Sequence, residues 1–421
     1  MMQAFELIQC GHHLLNTLLK FTYTLLNYTL MKFLKIVKAS IAVVITASCA
    51  MSSVQANSVI IPKPPVLNAT AYVLMDAASG EILVQKNADK QLPPASMTKM
   101  MTSYLATHEL ALGNLNEQDQ VPVSIKAWKM GGSKMFIREG RDVALIDLIK
   151  GIIIQSGNDA SIAVSEYVAG SEDAFVDLMN KHTQRMGMVN TQFKNATGWP
   201  AKGHFSSARD MAILAQAIIN DHPEYYSLYK EKYFEFNKIR QPNRNKLLWR
   251  DPSVDGLKTG HTDEAGFCLT ASAERNGMRL IAVVMGTKSE NARATETQKL
   301  LTYGFRYFET HRLYQAGDSI KTLPVWFGEE TQFDVGIAND LFITIARGAK
   351  EQLEIETLTN EFIEAPLNTG DSQGTLTIRL NDKVLAERSL VVLTDVTESG
   401  FFSRLWDGIK LFFIKLFGGE G

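Results

Sequence analysis

The sequence predicts an α+β protein. It should have a large first domain, an antiparallel sheet with helices, then a small β-rich, sandwich-like domain and a C-terminal amphipathic helix. Three observations predict this. Strand and hairpin patterns bracket a middle with helical period. That period stops after about Gly317, where short β-branched runs replace it. The chain then ends on an aromatic, basic segment from Phe401. Strands at both ends of a helical middle argue against a doubly wound parallel sheet. The expected boundaries are 57–316, 317–396 and 400–418.

From Met31, M-K-F-L-K-I-V-K is followed by the apolar run A-S-I-A-V-V-I-T-A-S-C-A-M and then S-S-V-Q-A-N. A basic, an apolar and a small-residue region in that order read as a secretory signal peptide, 31–56, cleaved after Ala56. The apolar run is about 13 residues, short of the roughly 20 that a spanning helix needs. A lipoprotein signal would use Cys49, but Thr46 stands where a bulky aliphatic residue is wanted. Residues 1–30 read as an upstream extension with no structural role, and translation is expected to start at Met31.

After the Pro-rich leader 57–66, A-Y-V-L-M-D-A, a turn at Ala78-Ser79-Gly80 and E-I-L-V-Q-K read as a hairpin. Pro93-Pro94 end any strand, and S-M-T-K-M-M-T-S-Y-L-A opens a helix. Helical patterns recur at 142–153, 158–169, 171–187 and 206–220. Two strands joined at Asn276-Gly277 give a strong hairpin signal. A helix from about Asn291 to Phe308 follows. The runs L-F-I-T-I-A, L-E-I-E-T-L, G-T-L-T-I-R-L and S-L-V-V-L-T then make a β-rich module. In the last segment, Ser403, Arg404, Asp407, Lys410 and Lys415 share one helical arc. Phe402, Leu405, Ile409, Phe412, Phe413 and Leu416 lie opposite, with Leu411 and Ile414 intruding on the polar side. Such a helix suits a membrane interface, and its charges argue against spanning.

Composition excludes other classes. The net charge of −2 speaks against an electrostatic nucleic-acid binder. Cys10, Cys49 and Cys268 are too few and too scattered for a metal cage or a disulfide framework, and no metal or cofactor is expected.

Three short motifs carry chemistry in order: Ser96-Met97-Thr98-Lys99, Ser156-Gly157-Asn158 and Lys258-Thr259-Gly260. Each is weak alone. Ser227-Leu228-Tyr229-Lys230 and Ser289-Glu290-Asn291 repeat two of the patterns without the context. A serine hydroxyl needs a neighbour to take its proton before it attacks. Three residues along a helix place Lys99 beside Ser96. Lys99 must be neutral to act as base, and a free lysine has a pKa of about 10.4. Burial and a nearby cation lower it, and Lys258 is the natural second cation. Ser156 can relay a proton toward a leaving amine, and Asn158 can bond a substrate amide. Lys258 and Thr259 can hold a terminal carboxylate. The backbone amides of Ser96 and His261 can form an oxyanion hole.

The triple is shared by class A β-lactamases and penicillin-binding proteins. The chain resembles low-molecular-mass penicillin-binding proteins, serine-type D-alanyl-D-alanine carboxypeptidases of the type-5/6 group. The likeness runs through P-P-A-S-M-T-K-M-M-T, I-I-I-Q-S-G-N-D-A, A-G-S-E-D-A-F-V-D-L-M-N, S-S-A-R-D-M-A, I-R-Q-P-N-R-N-K-L-L-W and V-D-G-L-K-T-G-H-T-D-E-A-G-F-C-L-T-A-S-A. It implies a β-lactamase/transpeptidase-like catalytic domain and an acyl-enzyme on Ser96 formed from peptidoglycan pentapeptide stems. Lys99 is then the proton acceptor, Ser156 a catalytic serine, Lys258 a substrate contact and Arg293 an arginine near the site. β-Lactam antibiotics are implied as covalent inhibitors. The implied location is the periplasmic side of the bacterial inner membrane, on the C-terminal helix. One departure is Thr197-Gly198-Trp199-Pro200, where the family commonly has His-Gly-Leu-Asp, and it bears on peptide preference. A β-lactamase would want an E-x-x-L-N loop. Between Ser156 and Lys258 there is none, and 195–204 holds no acid. The motifs leave a D,D-endopeptidase open.

Overall fold

The computed structural model describes residues 31–32 and 61–417, with side chains to residue 414. The expected extension and signal segment lie outside the described residues, apart from Met31 and Lys32. Every element below belongs to one compact unit that begins at Val59.

The first sheet has five antiparallel strands. They are β1 (Ala71–Asp76), β2 (Ile82–Lys86), β3 (Val254–Thr262), β4 (Gly266–Arg275) and β5 (Met278–Thr287), in the order β2-β1-β5-β4-β3. The β4–β5 turn takes positive φ at Asn276 (51°) and Gly277 (78°), the geometry the Asn-Gly pair favours. Side-chain alternation splits β5 between two cores. Ile281, Val283 and Met285 face one, and Leu280, Ala282 and Val284 the other.

The first face packs on four helices: α1 (Lys99–Ala111), α2 (Asn158–Ala169), α3 (Glu172–Arg185) and α4 (Ala208–Asp221). Helix α1 is buried nearly all round, as a helix inside a core must be. The second face packs on α5 (Glu290–Tyr307), through Leu300 and Leu301. Serines cap α3, α4 and α5 at their N-termini: Ser171, Ser207 and Ser289 each accept a backbone amide.

Two sequence expectations need correction. The pattern at 142–153 is not one helix. Asp142–Ala144 pairs with Gln120–Pro122 as a small hairpin, a helix spans Leu145–Lys150, and a wider π turn spans Gly151–Gln155. The alternating D-V-A lays Val143 against Val121, and the buried pairing overrides the helical period. The helix read to Phe308 ends at Tyr307, and Phe308 opens strand β6 (Phe308–Tyr314).

The β-rich part adds β7 (Lys321–Pro324), β8 (Gln332–Gly336), β9 (Leu341–Ala346), β10 (Leu353–Thr359), β11 (Ser372–Leu380) and β12 (Lys383–Val392). One sheet has the order β7-β8-β12-β11-β10, and β6 pairs with β9. Val335, Ile343, Ile378 and Val392 meet in one core, so two sheets enclose it. Strand β6 lies ahead of Gly317, where composition shifts, because its half-buried residues alternate too weakly to read as a strand. Helix α6 (Phe401–Phe417) closes the chain. Among the described residues no helix is long and apolar enough to cross a membrane.

Candidate active site

Pro94 leads into a tight turn, Ala95–Thr98, that runs straight into α1. The turn holds Ser96 half-buried at the head of the helix. Lys99 opens the helix and is fully buried. Its Nζ donates to Ser96 Oγ at 3.2 Å and to the carbonyl of Thr197. Burial is the main force lowering its pKa, to about 7, and the Arg244 guanidinium lowers it further, while Asp159 opposes them. The sequence argument assigned the cationic role to Lys258. Arg244 adds a further cation, and the coupling of the two lysines shows in Lys258, whose pKa Lys99 lowers. The Arg244 Nε donates to the carbonyl of Gln155 at 3.0 Å, and the side chain is exposed.

Ser156 follows the π turn in a left-handed conformation, φ 67°, and is buried. Its Oγ has no hydrogen-bond partner among the described residues. A buried hydroxyl left unpaired at a π turn marks a site, since both features are costly elsewhere. Asn158 is buried too, and its Nδ2 donates to Gly131 O at 2.7 Å.

Strand β3 carries Lys258, Thr259 and Gly260 on the open edge of the sheet. A side chain at Gly260 would meet Pro94 O at 2.7 Å, so this glycine lets the strand approach the Ser96 turn. Lys258 is buried, and its pKa is driven well below the usual lysine range by burial, then by Lys99, Arg244 and Arg293. Arg293 reaches the back of the strand, its NH1 donating to Gly260 O at 3.3 Å. Burial lowers its pKa as well. Of these basic side chains Lys99, Lys258 and Arg293 are buried, and Arg244 is exposed. The His261 ring is exposed too and stacks on Phe267 at 3.9 Å. Only its backbone lies along the site's edge strand.

The structure adds three groups that motif reading missed. Asp159 accepts backbone amides of Met135, Phe136 and Ile137, so it holds the loop facing Ser156. Asn195 Oδ1 accepts the amides of Thr197, Gly198 and Trp199, which shapes the T-G-W-P loop. A side chain at Gly198, φ 79°, would collide with Ala95 O at 1.8 Å. His204 Nδ1 accepts from Lys194 N, so its Nε2–H donates to Thr98 Oγ1 at 2.8 Å. Burial, then Lys99 and Lys194, lower its pKa to about 4, so it is neutral at physiological pH. Asn195 and His204 sit in a loop without a motif, and no signal in the sequence marks them. Of the two decoy motifs, Ser289 is the cap of α5 and Ser227–Lys230 is a short surface turn.

A nucleophilic serine hydrogen-bonded to a buried lysine, opposite an open strand edge, defines an active-site serine acyl-transfer enzyme. The comparisons agree. Residues 57–289 match the model of the D-alanyl-D-alanine carboxypeptidase family, peptidase S11. Residues 308–398 match the penicillin-binding protein 5 C-terminal domain. The chain is 46% identical to the D-alanyl-D-alanine carboxypeptidase DacC of Escherichia coli over 362 residues, 84% of this chain and 90% of that protein. The crystal structure of penicillin-binding protein 5 from Haemophilus influenzae is 42% identical. It superposes with a TM-score of 0.76, covering 80% of this chain and all (100%) of that one. Penicillin-binding protein D2 of Listeria monocytogenes, solved with ampicillin bound, is 29% identical with a TM-score of 0.54 over 58% of this chain and 100% of its own. The chain belongs to the D-alanyl-D-alanine carboxypeptidase family S11, within the low-molecular-mass penicillin-binding proteins.

Proposed function

We propose that the protein is a serine-type D-alanyl-D-alanine carboxypeptidase that removes the terminal D-alanine from peptidoglycan pentapeptide stems. The observation that carries this reading is Lys99, buried, 3.2 Å from Ser96 Oγ and lowered to a pKa of about 7. A base with that pKa is half neutral at working pH.

In the reaction the stem lies along the open edge of β3, with its terminal carboxylate toward Lys258, Thr259 and Arg244. Lys99 takes the Ser96 proton as Oγ attacks the penultimate carbonyl. The N–H groups of Ser96 and His261 receive the oxyanion. Ser156 passes the proton to the leaving nitrogen, the C–N bond breaks, and D-alanine departs from an ester on Ser96. Water then hydrolyses the ester, with Lys99 again as base. Asn158, tied to Gly131 through its Nδ2, offers its Oδ1 to a stem amide.

Mass spectrometry after incubation with penicillin tests the mechanism. One covalent adduct on Ser96 is expected, and no adduct or an adduct elsewhere overturns it. Release of D-alanine from a monomeric pentapeptide then separates the carboxypeptidase from an endopeptidase.

We further propose export by the 31–56 signal and peripheral attachment to the periplasmic side of the inner membrane through α6. The helix supports this by exposing Phe401, Phe402, Leu405, Trp406, Ile409 and Phe412.

A further inference from the structure

We propose that His108, His182 and His222, clustered at the foot of α1, form an acid-sensitive switch that slows acylation of Ser96 at the head of the same helix. The proposal rests on Ser96 and Lys99 as the acylating pair and names a regulation of that site.

Three elements bring the rings together. His108 lies in the last turn of α1, His182 in the last turn of α3, and His222 directly after α4. His108 Nδ1 and His222 Nε2 share a hydrogen bond of 3.0 Å. The ring centroids of His108 and His222 are 5.2 Å apart, and those of His108 and His182 are 5.5 Å apart. The buried Tyr104, one turn earlier on α1, sets its ring against all three, and its hydroxyl donates to Asp221 Oδ2 at 2.8 Å. His222 is buried, and the other two are half-buried. Among the described residues none of the three forms an ion pair.

Such a cluster holds few protons. A hydrogen bond between two imidazoles needs one lone pair, so the bonded pair can carry one charge. A second proton sets two N–H groups face to face across 3.0 Å, and the bond breaks. The surrounding charges divide. Around His182, Lys181 and Arg185 oppose a positive charge and Glu109 favours it. Around His222, Asp221 and Glu224 favour a positive charge and His108 opposes it. Two of these carboxylates are already engaged: Glu109 accepts from Asn114 Nδ2 and Asp221 from Tyr104. Burial is the largest influence on both rings, and it lowers the pKa of His182 and of His222. The folded packing is therefore fully stable above the ordinary histidine value of about 6.5. As pH falls below that value the unfolded chain takes up protons that the folded cluster refuses, and the packing of α1 on α3 and α4 loses stability. Helix α1 runs unbroken for about 14 Å from Lys99 to His108, at about 1.5 Å per residue. A foot pushed away from its neighbours thus disturbs the seat of Lys99 against Ser96 and Thr197.

The rate of penicillin labelling of Ser96 in the full chain, followed from about pH 8 to about pH 5, tests this. Protonation of Lys99 alone lowers the rate by about tenfold per pH unit at most. With the cluster titrating as well, the fall below about pH 6.5 should exceed about tenfold per unit, and return to about pH 8 should restore the rate. His222→Gln keeps a polar group and takes no charge, so it should bring the limb back to about tenfold per unit. His182→Gln changes a half-buried ring of the same cluster, and it should make the limb shallower even if His222→Gln does not fold. Tm of the unmodified chain should drop about 2–4 °C further across the same pH range than that of either variant. An unmodified limb no steeper than about tenfold per unit overturns the switch, as does a steep limb that both variants retain or an equal drop in Tm for all three chains. If penicillin fails to label Ser96 even at about pH 8, the acylating pair itself fails, an outcome distinct from a shallow limb.

Discussion

At the scale of single residues, the site is governed by what burial does to charge. Lys99 and Lys258 are buried with Arg293, and the exposed Arg244 makes both lysines harder to protonate. For Lys99 the folded pKa of about 7 lies below the ordinary 10.5. The neutral base is lost as pH falls through about 7, so acylation by penicillin should show an acid limb there. Arg244→Met removes a cation that opposes protonation, so the limb should move to higher pH. A limb that stays in place would show that burial alone sets the base. Ser156 makes a different prediction. Its Oγ has no partner to lose, so Ser156→Ala should leave Tm within about 2 °C. Acylation should fall by about 10²- to 10⁴-fold, the usual worth of a positioned proton relay. A large drop in Tm would instead assign the hydroxyl a structural role. The motif spacing identified the two lysines and two serines. It did not identify Arg244, because a cation's effect on Lys99 depends on distance across the fold and on the dry medium between them.

At the scale of elements, catalysis depends on three backbones brought close without side chains between them. Gly260 lets β3 meet the Pro94–Ala95 turn, and Gly198 lets the T-G-W-P loop meet the same turn from another side. Gly198→Ala would place a methyl carbon 1.8 Å from Ala95 O at a positive φ. The loop must therefore move. The expected cost is about 1–3 kcal/mol in urea unfolding, with slower labelling of Ser96. Unchanged stability and labelling would mean that the turn adapts freely. The π turn at Gly151–Gln155 acts at the same scale. It inserts the extra width that delivers Ser156 in a left-handed conformation, ahead of α2. The hydrophobic period reads through this stretch as one helix, because its isoleucines are buried either way.

Across the whole molecule, the catalytic fold and the β-rich part are joined by more than chain continuity. Asp76 at the end of β1 accepts from Thr310 of β6 at 2.6 Å, and Ser79 shares a hydrogen bond with Thr344 of β9. The last helix is different. Its aromatic face is exposed, although Leu411 is buried and Asp407 accepts from Phe327 N. Removal of residues after Gly400 should therefore leave Tm within about 2 °C and penicillin labelling intact. It should abolish sedimentation with phospholipid vesicles, and a truncated chain that still sediments would refute the membrane role of α6. Local pattern by itself determined the α+β class, the Asn276-Gly277 hairpin, the β-rich second part, the terminal amphipathic helix and the three motifs. Each is written in neighbouring residues, through turn geometry, period or fixed spacing along a helix. Tertiary structure alone decided that Arg244 also acts on Lys99 and that His204 is neutral. Those outcomes depend on distance and burial between segments far apart in the chain, and no local pattern encodes either.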